Sequence, residues 1–232
     1  MYAEIHRRLS HLGSPARAAV SRGYFKTGPG EYAEGDKFIG LSVPALREVA
    51  REYRSLAHGD AATLLRSPWH EERALALMVL VWQYQRGDAR QKTAIHALYL
   101  RNTKYINNWD LVDCSAEHIV GPHLPKGKRA LLVRLAKSRD LWERRISILS
   151  TFAYIKQREF GDALRIALLL RDDEEDLIHK AVGWMLREIG NRDRSAEEVY
   201  LRKHAHRMPR TMLRYAVERF PAPLRKKYMR QA

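Results

Sequence analysis

Residues 70–84 read HEERALALMVLVWQY, residues 142–155 read WERRISILSTFAYI, and residues 178–189 read IHKAVGWMLREI. In each, apolar residues recur at helical spacing after a charged opening, and the three stretches match one another when Arg73, Arg145 and Lys180 are put in register. The first two of these residues are 72 positions apart and the next step is 35. Halving the longer interval calls for another repeat centred at position 109, where Trp109 opens WDLVDCSAEHIV; continuing past Lys180 reaches Arg214 in MLRYAVERF. Five helices therefore share a phase with a period of about 36 residues, the length of a helical pair. Units that cannot bury their own apolar face must stack, so the expected fold is all-α, a curved solenoid of HEAT-like antiparallel helical repeats forming one domain over residues 1–232.

Local signals agree with this reading. Ser67-Pro68 followed by Glu71 and Glu72 opens a helix through about Tyr84 that stops at Gly87. Asp140 with Glu143 makes a capping box for a helix through about Ile155, and Gly190 closes a helix beginning near Asp176. No run of period-two alternation suggests a strand. The long irregular stretch is 27–40, TGPGEYAEGDKFIG, whose glycines forbid a regular helix. It lacks Gly-Lys-Ser/Thr, so it reads as a connecting loop rather than a phosphate cradle.

The chain has 232 residues, 45% hydrophobic and 30% charged, which excludes a disordered tail, a collagen and a disulfide-stapled miniprotein. Cys114 is the only cysteine, so no internal disulfide can form and a cytoplasmic protein is expected. The apolar run Leu75–Trp82 is far short of the roughly 20 residues a membrane span needs. A formal charge of +15 points to a polyanion, because each cation that neutralises a phosphate releases condensed counterions. The excess is uneven: between Arg202 and Arg230 ten Lys and Arg face one acid, Glu218, whereas 172–176 is an acidic cluster.

Equivalent positions of stacked repeats fall in rows. Arg73, Trp109, Arg145, Lys180 and Arg214 form one row, and Leu77, Asp113, Leu149, Trp184 and Glu218 form the next, one turn onward. Asp113 stands out because it interrupts an apolar row, where a carboxylate is costly unless it is hydrogen-bonded, paired or used. A salt bridge to Arg145 or another cation is the structural alternative. Trp109 and Trp184 can equally be inter-repeat core. Asp110 and Glu117 extend the carboxylate set, although Asp110 also suits the first turn of a helix capped by Asn107 or Asn108. No metal is expected: the histidines show no His-Glu-x-x-His spacing, and His204 and His206 lie in a basic stretch. Cys114 has only His118 as a local base and reads as an inert thiol.

Residues 107–121, 141–149 and 179–193, with 26–50 near the start and 207–221 near the end, resemble the DNA alkylation repair family of AlkD-like DNA glycosylases. The resemblance spans about Gly23 to Lys227, and its specific part is W-D-x-V-D, W-x-x-R and K-A-x-G-W-x-L-R-E in that order at repeat spacing. It implies HEAT-like repeats that hold duplex DNA containing alkylated bases in a basic groove. The implied reaction is hydrolysis of the N-glycosidic bond of cationic N3- and N7-alkylated purines, without base flipping. The implied catalytic residues are Asp113, Trp109 and Trp184, and Arg145 is the implied DNA contact. Lys180, Arg214 and Arg73 join it from the shared row. One position departs: the best-known member has a second tryptophan where this chain has Asn108.

The expectation is a monomeric, metal-free, monofunctional alkylpurine DNA glycosylase with no small-molecule cofactor and no membrane partner, cytoplasmic and nucleoid-associated when bound to DNA. The alternatives are an inactive HEAT-like module that binds nucleic acid, or one that binds protein.

Overall fold

The computed structural model describes residues 1–230, and the chain divides into two compact units, Met1–Ile119 and Val120 onward. Among the described residues the only β feature is an isolated bridge between Lys37 and Trp69. The fold is all-α, built of packed helical repeats. Among the described residues no helix is long and apolar enough to cross a membrane.

The first unit holds α1 (Tyr2–Leu12), α2 (Pro15–Tyr24), α3 (Val43–Glu52), α4 (His58–Leu65), α5 (His70–Arg86), α6 (Ala89–Arg101), α7 (Trp109–Asp113) and the start of α8 (Ala116–His123). Ser14, Ser42 and Asp88 accept backbone N–H groups as N-caps, and Asp88 forms a full capping box with Gln91. The centre is α5, against which α3, α4, α6 and α7 pack. Its middle, Leu75, Ala76, Leu77, Val79 and Leu80, is buried on every side but that of half-exposed Met78, as a helix nearly surrounded by others requires.

The second unit contains α9 (Ala130–Ala136), α10 (Leu141–Ser150), α11 (Phe152–Ile155), α12 (Gly161–Leu169), α13 (Asp176–Gly190), α14 (Arg194–His204), α15 (Arg210–Ala216) and α16 (Ala222–Met229). Helices α10, α13 and α15 pack in series, with α9 against α10 and both α12 and α14 against α13. In the helix expected from Asp140 to Ile155, the Asp140 side chain caps the N–H groups of Trp142 and Glu143 while its own N–H donates to Ser138 Oγ, and the helix breaks after Ser150. Ser150 Oγ donates to Ile146 O and Thr151 Oγ1 to Ile148 O, each at 2.6 Å, and this back-bonding competes with the helical ladder. Gly190 does close α13, for a packing reason: the Glu197 carboxylate of α14 occupies the space a β-carbon would need.

Three of the five positions in the expected row fall alike within their helices. Arg145, Lys180 and Arg214 are each the fifth residue of their helices, Arg73 is the fourth of α5, and Trp109 is the first of α7. The row is not uniform in exposure. Arg73 and Arg145 are buried, Trp109 and Lys180 are half-exposed, and Arg214 is exposed.

Two consequences concern the second unit. A methyl group on Gly183 would meet Met212 O and the Tyr215 side chain, so Gly183→Ala should push α13 and α15 apart and cost about 1–3 kcal/mol in urea denaturation. Glu197 is 1% exposed, and burial pushes its carboxyl up to about 9. The unfolded chain loses that proton near pH 4.5, so the group erodes stability as pH rises from there toward 9. Glu197→Gln should raise the denaturation midpoint at pH 8 and flatten its dependence between pH 5 and 9.

Candidate functional site

The irregular stretch before α3 is a docked element and more than a connection. Lys37 N–H donates to Pro68 O at 3.0 Å, and His70 N–H donates back to Lys37 O at 2.8 Å. In the first turn of α5, the Glu71 carboxylate accepts the N–H groups of Ile39, Gly40 and Leu41 at 2.9, 2.7 and 3.3 Å. Gly40 has φ of +89° and lies so close to the Ser14 carbonyl that no side chain fits. These contacts set Phe25, Tyr32, Asp36 and Phe38 around the starts of α5 and α7.

His70 is the meeting point. Its Nε2 lies 2.8 Å from Asp110 Oδ2 of α7, and its Nδ1 lies 3.6 Å from Asp36 Oδ2 of the loop. Arg73 donates to the same Asp36 oxygen at 2.6 Å and to Ser67 O at 2.9 Å. Burial by itself lowers the imidazole's affinity for a proton, but the hydrogen bond to Asp110 and the nearby Asp36 carboxylate outweigh it and lift His70 up to about 9. At neutral pH the cluster is two cations against two carboxylates.

Aromatic rings cover this cluster. Phe25 stacks on Phe38 with centroids 5.2 Å apart, lies 4.8 Å from the His70 ring, and stacks on Trp109 at 5.5 Å. Tyr24, 65% exposed, meets Trp109 edge-on at 5.9 Å, and the Tyr32 side chain lies beside the same indole. Trp109 is thus fixed on several sides while remaining half-exposed. It opens α7, and Asp113, also half-exposed, closes it; four residues apart, the two project from the same side of the helix. Between them Leu111 and Val112 are fully buried and anchor the turn. Asn108, fully buried, is the N-cap, and its Oδ1 accepts Trp109 N–H at 2.8 Å. A tryptophan at this place could supply no such acceptor. Burial, then the charges of Asp110 and Asp113, push the Cys114 thiol up, which keeps it protonated and unreactive.

Beyond Cys114, a cavity of about 340 Å³ is lined by Arg47 and Arg51 of α3, Arg54 just after it, Trp82 of α5, and His118. The Arg54 and Arg86 guanidinium groups lie 5.3 and 4.6 Å from the Trp82 ring centroid.

In the second unit, Trp184 is half-exposed on α13, its indole N–H donates to Glu188 at 3.3 Å, and it meets Phe152 edge-on at 5.9 Å. Lys180 pairs with Asp176 at 2.7 Å and remains over a third exposed. Arg214 projects over Tyr215 and is exposed. All ten basic residues between Arg202 and Arg230 are exposed, so the charge excess there is a surface property. Two cations of the expected DNA-binding set face inward instead. Arg73 is held by Asp36 and Ser67, and Arg145 donates to Leu177 O at 2.5 Å, tying α10 to the start of α13. The phase that aligned these arginines carries no information about which neighbours surround them.

Residues 5–220 match the family model described as DNA alkylation repair enzyme. The chain belongs to the DNA alkylation repair enzyme family. Among solved structures it is similar to a predicted DNA alkylation repair enzyme from Enterococcus faecalis at 16% identity and a TM-score of 0.69, covering 91% of this chain and 98% of that one. At that identity the likeness is one of fold. No curated protein matches significantly in sequence.

For a DNA alkylation repair enzyme, the sequence singles out Trp109 and Asp113 but misses the residues that hold them. Tyr24, Phe25, Asp36 and His70 come from outside α7 and outside the repeat phase. The signal that could have found them is the pair of histidine and acid at the start of α5, which a solvent-facing first turn does not need. Glu71→Ala should release the loop: about 3 kcal/mol of stability lost on denaturation, from three orphaned N–H donors, and new proteolytic cleavage within 27–41.

Proposed function

We propose that this family member is a DNA glycosylase that hydrolyses the N-glycosidic bond of cationic N3- or N7-alkylated purines in duplex DNA, without flipping the base. The observation that carries this reading is the pairing on α7 of a half-exposed indole, Trp109, with a half-exposed carboxylate, Asp113, one turn apart on the same side.

The substrate class suits those two groups. An alkylated purine already carries positive charge, so it departs without a general acid. The glycosidic electron pair leaves with the base and discharges it, while positive charge develops on the sugar. A fixed carboxylate stabilises that oxocarbenium character and orients a water whose oxygen bonds to the anomeric carbon, with one water proton released to Asp113 and onward to solvent. The electron-rich face of Trp109, flanked by Tyr24, packs against the cationic sugar. Trp184 is assigned the same kind of contact by the family pattern. Lys180, Arg214 and the exposed basic run from Arg202 to Arg230 are assigned to phosphates, where they supply affinity and register. A site made of sugar and backbone contacts needs no pocket for an extruded base, in contrast to base-flipping enzymes.

A binding module without chemistry is the second reading, favoured by the same exposed basic run, which can hold DNA regardless of Asp113. The deciding experiment is release of 3-methyladenine and 7-methylguanine from methylated duplex DNA. Asp113→Asn should lower release by at least about a hundredfold while DNA affinity, measured by fluorescence anisotropy, stays within about twofold of wild type. A folded, DNA-binding wild type that releases neither base would favour the binding module.

A further inference from the structure

Helix α7 is five residues long, too short to hold its own geometry, so its position depends on what grips it from outside. The buried Leu111 and Val112 fix its inner side. The polar grip on its first turn is Asp110, and the group that takes Asp110 is His70, at 2.8 Å. The same imidazole faces Asp36 with its other nitrogen at 3.6 Å, an ion-pair distance rather than a hydrogen bond.

Proton counting decides what this bridge requires. A neutral imidazole has one N–H and one lone pair, whereas an imidazolium has two N–H groups. With a carboxylate on each side, only the imidazolium presents a proton to both. In the neutral ring, one nitrogen turns a lone pair toward an anion, either the loop's Asp36 or Asp110 of α7. The other groups around the ring are Arg73 on its own helix, which already bonds Asp36, and the uncharged rings of Phe25 and Phe38. None of these can replace the lost proton toward Asp110.

We propose that His70 is a positioning residue that clamps the first turn of α7 to the 36–41 loop and so sets the placement of Trp109 and Asp113. The clamp works as a single-proton device: doubly protonated, it joins loop and helix, and neutral, it releases one of them. With His70 raised from 6.5 to about 9, the stability it contributes is fully present below about pH 6.5 and is lost as pH rises through about 9. The catalytic consequence rests on the glycosylase reading above, whereas the coupling between His70 and Trp109 rests on geometry alone.

The test uses two readouts. In the free full-length protein, His70 and the Trp109 indole are followed by heteronuclear NMR from pH 6 to 10.5, with Trp109 assigned through Trp109→Phe. Base release from methylated duplex DNA is measured over the same range for wild type and His70→Gln, which keeps one N–H donor but no charge. Titration of the substrate itself is common to both proteins and cancels in their ratio. The expected result is a Trp109 resonance that shifts with the His70 midpoint near pH 9. Wild-type release should exceed that of His70→Gln by on the order of ten- to a hundredfold at pH 7, with the ratio collapsing above pH 9. A His70 that titrates without moving Trp109, or a ratio constant from pH 7 to 10, overturns the proposal. If His70→Gln does not fold, the wild-type NMR titration decides by itself. A wild type that releases no base while Trp109 still follows His70 sinks the glycosylase reading and leaves the clamp standing.

Discussion

Four consecutive ionisable residues, His70, Glu71, Glu72 and Arg73, make up the first turn of α5, and none is more than 4% exposed. Buried charge is tolerated only when it is paired and hydrogen-bonded, and each of these side chains finds its partners outside its own helix. His70 reaches the loop and α7; Glu71 takes three loop N–H groups; Glu72 takes Ser67 and, at 2.6 Å, His6 of α1; Arg73 takes Asp36 and Ser67. One helical turn thereby holds α1, the 36–41 loop and α7 in fixed relation. A cluster of this kind contributes more to uniqueness of geometry than to net stability, because removing a member leaves buried charges or buried N–H donors without their partner.

The site on α7 inherits its order from that turn. Trp109 is flanked by Tyr24 and Phe25 at the end of α2 and by Tyr32 of the loop that follows, while Asp113 follows from the register of a helix gripped at Asp110. Rigid placement matters most for chemistry in which a carboxylate must face developing positive charge without reorganising. A half-exposed indole held on several sides by other rings is suited to that task, since its face is available and its orientation is not.

Charge is divided by role. The cations of the C-terminal segment are exposed and confer long-range attraction for a polyanion. Arg73 and Arg145 are internal and serve as hydrogen-bond donors that tie one element to the next. A residue type that looks uniform along the repeat phase thus splits into two functions, set by burial.

Helix content, the position of α5, the cap at Asp140 and Asp113 as a carboxylate interrupting an apolar row were legible in the sequence, because periodicity and capping are local and each is determined by residues within a turn or two. The break after Ser150 was not, since apolar spacing continues through it while hydroxyl groups turn back on the ladder. The docking of the 36–41 loop, the burial of Arg73 and Arg145, and the bridge from Asp36 through His70 to Asp110 were decided by tertiary structure alone. They join residues 30 to 40 positions apart, and a charge is solvated or paired according to what packs against it, which no local pattern encodes.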